Sequence, residues 1–120
     1  VADAVWIGNA ILFGSTPEIS WQRFGVDQDG KPVSPLTRRN PNWVGGLSGP
    51  ACLPLTRNAV EALRHENKHI PIVAGNGIRT WDDVQKLHTA GADACFLGSL
   101  AVVRPWRMRS IIKYSNKLFA

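Results

Sequence analysis

The chain has 120 residues, of which 44% are hydrophobic and 19% charged, the balance of an ordinary globular domain. No apolar run reaches the roughly 18–20 residues of a membrane helix, and no cleavable signal pattern opens the chain, so a cytoplasmic protein without a membrane span is expected. Lys and Arg number 14 against 9 acidic residues, a net +5, yet no aromatic-interleaved motif accompanies the excess, which argues against a nucleic-acid face.

The sequence opens Val1-Ala2-Asp3, without a methionine and at a strand-like run, as expected of a fragment of a longer protein. Residues 3–8 (Asp-Ala-Val-Trp-Ile-Gly) suit a strand buried on both faces. A polar, Gly- and Pro-rich stretch follows from Asn9 to Gly49. Within it, Asp27-Gln28-Asp29-Gly30 between short apolar runs signals a hairpin. A loop this long is either functional, as a lid over a site, or disordered. A helix is predicted from Pro54 to Asn67, with Leu55, Ala59, Ala62 and Leu63 on the inner side and Asn58, Glu61 and Arg64 opposite. Ile70 to Ala74 reads as the second strand. Thr80 with Asp83 resembles a capping box for the next helix, whose face includes Val84, Leu87 and His88 and which ends at Gly91. Asp93 to Leu97 is the third strand. The last helix starts near Pro105, with Met108, Ile111, Ile112, Ser115 and Leu118 as its buried side. Its basic residues, Arg107, Arg109, Lys113 and Lys117, with Arg104 before it, read as a solvated face or as a surface that meets other parts of the protein.

Alternating strands and helices imply parallel strands with right-handed crossovers. Three such units are too few for a closed barrel, which takes eight. One structural unit spanning residues 1–120 is expected. In parallel α/β folds ligands sit beyond the carboxyl ends of the strands. Here those ends read Gly8-Asn9-Ala10, Gly75-Asn76-Gly77 and Gly98-Ser99. Glycine there brings backbone N–H groups close to a ligand and suits a phosphate, although glycines at such places also serve simply as turns. A third cluster, Gly45-Gly46-Leu47-Ser48-Gly49-Pro50, stands just before a helix. Cys52 and Cys95 are too few for a disulfide framework and fit a reduced protein. His65 and His69 lack a third ligand, so no metal site is assigned. The five tryptophans read as packing and lid residues.

Gly45-Gly46-Leu47-Ser48-Gly49-Pro50-Ala51 with Pro54-Leu55 resembles the glycine loop of dihydroorotate dehydrogenases. Ile70 to Ile78 resembles that family's seventh strand and phosphate loop, Asp82-Asp83-Val84 with Ala90-Gly91-Ala92 the helix and turn that follow, and Asp3 to Asn9 its sixth strand. The resemblance covers nearly the whole chain. It implies a C-terminal part of an FMN-dependent (β/α)8 barrel, strands 6 to 8 with a hairpin-containing loop, oxidising dihydroorotate to orotate in pyrimidine biosynthesis. Carried over by position, Gly8 lies near the flavin, and Gly49 contacts FMN. Asn76, Gly77, Gly98 and Ser99 hold its phosphate, and Asn9, followed by Ala10, meets the pyrimidine substrate.

The sequence departs from that pattern in three places. Ala10 stands where the family usually has a hydroxyl residue, and Asn76 stands where it has the first of two glycines. The family's catalytic Cys or Ser comes from an earlier loop not present in these residues, so no catalytic residue is assigned and the chain alone is expected to be inactive. Completion by the remaining barrel segment or another chain, and an oligomer, are expected. Two alternatives stay open. One is a tRNA-dihydrouridine synthase-like flavoenzyme, to which Leu97-Gly98-Ser99-Leu100-Ala101 and Arg104-Pro105-Trp106 are similar. The other is a non-catalytic flavin- or phosphate-binding or barrel-completing subunit.

Overall fold

The computed structural model describes residues 2–120, so the reading of the chain's opening at Val1 lies outside the described residues. In chain order the elements are β1 (Val5–Ile7), β2 (Ile11–Leu12), β3 (Gly46–Leu47), α1 (Leu53–Glu66), β4 (Ile72–Ala74), α2 (Trp81–Ala90), β5 (Ala94–Cys95), α3 (Ser99–Val103) and α4 (Met108–Leu118). Single 3-10 turns occupy Trp21–Arg23, Pro50–Cys52 and Pro105–Arg107. Contacts divide the chain into two units, one holding residues up to Asn9 together with Ser48–Ala120, the other Ala10–Leu47.

In the larger unit β1, β4 and β5 form a parallel sheet in the order β1-β4-β5, with Val5 opposite Ile72 and Val73 opposite Ala94. The central strand is fully buried on one face and partly covered by its neighbours on the other, which fits the unbroken apolar run Ile70 to Ala74. Ile72 and Ala74 are fully buried and join Val60 of α1, Val84 and Leu87 of α2, Leu100 of α3 and Ile111 of α4 in one core. Each fully buried Val, Leu or Ile contributes about 1.5–3 kcal/mol. Residues alternate across a strand, so Trp6, Val73 and Ala94 share the other face. There Trp6 stacks on Phe96 with ring centroids 4.0 Å apart, and Trp6 remains 58% exposed.

The strands are shorter than predicted: Asp3, Ala4 and Ile70 lie outside them, as do Phe96 and Leu97. The inner stripe of α1 also differs from the expected one. Leu53, Thr56, Val60 and Leu63 face the core, while Ala59 and Ala62 are exposed. A threonine fits this stripe because its hydroxyl donates to the Cys52 and Asn76 carbonyls (3.2 and 3.3 Å). Arg64, expected on the solvent side, folds back over the sheet's lower edge. Its guanidinium donates to the carbonyls of Gly91, Ile70 and Asn67 and to Asp93 Oδ2 at 2.6 Å.

The capping box on α2 is present: the Asp83 N–H donates to Thr80 Oγ1 and the Thr80 N–H to Asp83 Oδ2. Of the predicted α2 face, Val84 and Leu87 are buried but His88 is exposed, edge-on to Phe119. The stretch after β5 holds a short helix, α3, that the pattern did not signal, and α4 proper begins at Met108 after the turn at Pro105. On α4, Ile111 is buried but Ile112 is 45% exposed. An i, i+1 pair cannot share a helix face.

The smaller unit is built around Trp21, which packs against Phe13 and Phe24 and donates its indole N–H to the Thr16 carbonyl at 2.6 Å. Antiparallel pairing of β2 with β3 ties its ends together, a pairing hidden in a stretch with no alternation to reveal it. The hairpin signal at Asp27–Gly30 corresponds to a tight turn. Asp27 Oδ1 accepts from the N–H groups of Asp29 and Lys31, and Val26 bridges Pro32. Of the five tryptophans only Trp21 is buried; the others are more than half exposed.

Candidate functional site

Beyond the carboxyl ends of β4 and β5 lies a half-open cavity of about 220 Å³. Three segments of the larger unit build it. Ser48, Gly49 and Pro50 come from the turn into α1, Ile78 and Arg79 from the loop after β4, and Ser99, Val103 and Arg104 from the segment after β5. Binding pockets for whole drug-sized molecules run to about 300–1,000 Å³, so this cavity has room for one group of a larger ligand.

Asn76 sets the cavity's geometry without lining it. Its backbone has φ 68, a left-handed conformation that asparagine tolerates better than other non-glycine residues. From that position its side chain laces two segments together: Nδ2 donates to the Asn9 carbonyl at 2.9 Å, and Oδ1 accepts from the Gly49 N–H at 3.1 Å. The end of β1 and the glycine loop are thereby held to the end of β4. The amide is thus engaged mainly within the protein, where it also meets the Cys52 thiol.

The other residues singled out from the sequence fall into distinct settings. Gly49 and Ser99 line the cavity. Gly98 is exposed, and a Cβ there would meet open space. Gly77, with φ 101, packs so closely on α1 that a Cβ would come within 2.6 Å of the Leu53 nitrogen. Gly8, with φ 116, backs onto the Gly75 carbonyl, which a Cβ would overlap. The conformation and close packing of the chain itself therefore require glycine at both positions. Asn9 is exposed at the end of β1, and Ala10 belongs to the smaller unit, where it adjoins Gly46.

Arg79 and Arg104 were missed as site residues. Arg104 reads in sequence as part of a basic surface run, and Arg79 stands alone in a loop. Among the described residues neither guanidinium takes part in an ion pair, whereas Arg57, Arg64 and Lys86 each pair with a carboxylate. The nearby Asp83 is occupied: its carboxylate accepts from the Arg79 and Thr80 N–H groups and lies near Lys86. The cavity is therefore lined by two cations and no carboxylate.

Both cysteines are poor nucleophiles. Burial pushes the Cys52 thiol up, against the opposing hydrogen bond with the Asn76 side chain, and burial alone pushes Cys95 up to about 12. The thiolate is the reactive form. At pH 8 alkylation of Cys95 in the folded protein is expected to be at least about a hundredfold slower than in the urea-unfolded chain. Mass spectrometry after timed iodoacetamide pulses measures this, and equal rates would show that Cys95 is not buried.

The chain is similar to known proteins over most of its length. The family model described as dihydroorotate dehydrogenase matches residues 27–118. The chain is 34% identical over 108 residues to the catalytic subunit of dihydroorotate dehydrogenase B (NAD(+)) from Listeria monocytogenes serotype 4b, covering 88% of this chain and 34% of the relative. The same subunit from Desulforamulus reducens is 37% identical over 76 residues, covering 63% of this chain and 25% of the relative. That from Thermococcus kodakarensis is 37% identical over 67 residues, covering 56% and 22%. The chain thus spans about a third or less of the length of these relatives. With the match spanning the glycine loop, β4, β5 and all four helices, the chain belongs to the dihydroorotate dehydrogenase family.

Proposed function

We propose that this chain forms strands 6 to 8 of a flavin-dependent (β/α)8 barrel that oxidises dihydroorotate to orotate, and that its share of the work is to grip FMN and part of the substrate. The observation that carries this reading is the cavity where the glycine loop and the segments after β4 and β5 meet. Beyond the strand ends of a parallel sheet is where such folds bind ligands. The sheet face bearing Trp6 and Phe96, which no helix of the larger unit covers, would be the barrel interior.

The residues present fit a phosphorylated flavin. Gly98 leaves room for close approach, Ser99 offers a hydroxyl, and two unpaired guanidinium groups match a phosphate dianion. In this reading Asn76, Gly77, Gly98 and Ser99 hold the FMN phosphate, those at the loops through backbone N–H groups, while Gly49 contacts FMN from the glycine loop and Gly8 lies near the ring. Asn9 offers its side-chain donor and acceptor to the pyrimidine edge, and Ala10 adds no hydroxyl there. FMN, when bound, supplies the hydride acceptor. No residue of this chain is assigned to proton removal, and a partner chain is inferred from the relatives' designation as a catalytic subunit.

Anaerobic mixing of the full-length protein with dihydroorotate tests the reading. Retained FMN that bleaches on mixing, with orotate formed, is the expected result. A protein that retains no flavin sinks the reading. Flavin bleached by NADPH, with dihydrouridine formed in tRNA and no response to dihydroorotate, would transfer the chain to the RNA-modifying alternative.

A further inference from the structure

We propose that Arg79 and Arg104 make this site selective for a phosphorylated flavin over the unphosphorylated one, acting as a two-point cationic clamp on the phosphate. The inference rests on the flavin reading above and adds two side chains to a grip otherwise made of backbone groups and one hydroxyl.

The argument is one of charge and position. Arg79 follows β4 by five residues and Arg104 ends the short helix after β5, so the two approach the cavity from different strand ends. Ser99 and Gly49 lie in the same cavity wall. Among the described residues no carboxylate pairs with either arginine. Two arginines without a carboxylate partner line one small half-open space and give it positive charge, which an anion bound there would neutralise. The rest of the lining is Ser48 and the apolar Pro50, Ile78, Leu100 and Val103, whose apolar surface would exclude water from one side of the anion and so strengthen its attraction to the arginines. A phosphate offers three oxygens that two planar guanidinium forks meet with paired hydrogen bonds. A cavity of about 220 Å³ suits such a terminal group and leaves the ring system to lie elsewhere.

The test uses the full-length protein stripped of flavin and titrated separately with FMN and with riboflavin, read by flavin fluorescence. The wild type is expected to prefer FMN, with affinity that falls as salt rises and with competition by inorganic phosphate. Arg79→Gln and Arg104→Gln should each weaken FMN binding about tenfold, and the double variant about a hundredfold, with riboflavin binding unchanged. Arg→Lys at either site should retain part of the preference. Circular dichroism of each variant establishes that it is folded. FMN affinity unchanged in the folded double variant overturns the clamp while leaving the flavin reading intact, as does equal weakening of both flavins. A folded wild type that binds neither flavin overturns the clamp and the flavin reading together.

Discussion

Gly8→Ala is expected to cost about 4 kcal/mol or more, a large share of the stability of a domain whose total lies near 5–15 kcal/mol. Two effects add. The backbone at Gly8 has φ 116, which an L side chain adopts only with strain. A methyl group there would also overlap the Gly75 carbonyl oxygen. That oxygen belongs to main chain continuing from the central strand, whose N–H already donates to the Ile7 carbonyl at 2.9 Å, so it cannot move aside without breaking the sheet. Urea unfolding of the full-length protein, followed by circular dichroism, measures the loss. Gly98→Ala is the matched control, because open space surrounds that position and its φ is −105, giving an expected change within about 0.5 kcal/mol. Similar midpoints for Gly8→Ala and the wild type would mean that β1 and β4 do not approach as described.

Arg64→Met should destabilise the protein by about 3 kcal/mol in the same assay. The ion pair is the smaller part. Asp93 is about half exposed, its side chain retaining 55% accessibility, and such a pair contributes only about 0–1 kcal/mol. The larger part comes from the Gly91 and Ile70 carbonyls, which lose their charged donor in a partly buried place. Methionine keeps the aliphatic bulk and isolates the loss of hydrogen bonds. Asp93→Asn should cost less, about 1 kcal/mol, because an amide oxygen still accepts from the Ile72 N–H. Equal costs for the two variants would show that the ion pair dominates after all.

The parts of this fold that sequence makes legible are those fixed by local chemistry. Thr80 and Asp83 start α2 and Gly91 ends it, because caps need only neighbours in the chain. The turn at Asp27 is likewise written in four residues. The parallel sheet follows from three short apolar runs alternating with helical patterns. What the sequence conceals depends on partners far along the chain. Thr56 enters the buried stripe with its hydroxyl satisfied both by the Cys52 carbonyl one turn back and by the Asn76 carbonyl, twenty residues on. Arg64 leaves the solvent side only because the α2–β5 turn offers carbonyls there. The glycines at the strand ends are legible as special, but Gly8 and Gly77 have reasons within the fold, whereas Gly98 does not. The convergence of the two cavity arginines is purely spatial: Arg79 stands alone in a loop, and Arg104 reads as part of a basic run or of the Arg104-Pro105-Trp106 similarity, neither of which points to this cavity.

The lacing by Asn76 also gives the protein a clock. Asn76 precedes Gly77, and an unhindered glycine nitrogen following asparagine favours slow attack on the side-chain amide, with loss of ammonia and hydrolysis to aspartate or its isomer. The aged residue has no Nδ2, so it presents a carboxylate oxygen to the Asn9 carbonyl where a donor stood. Two acceptors then face each other, and the end of β1 loses its tie to Asn76 while the strand stays paired with β4. A negative charge also appears beside Gly49, at the edge of a cavity whose charge is otherwise positive. Both hydrogen bonds restrain the amide, so slower ageing of this residue in the folded protein than in the unfolded chain is the expected result.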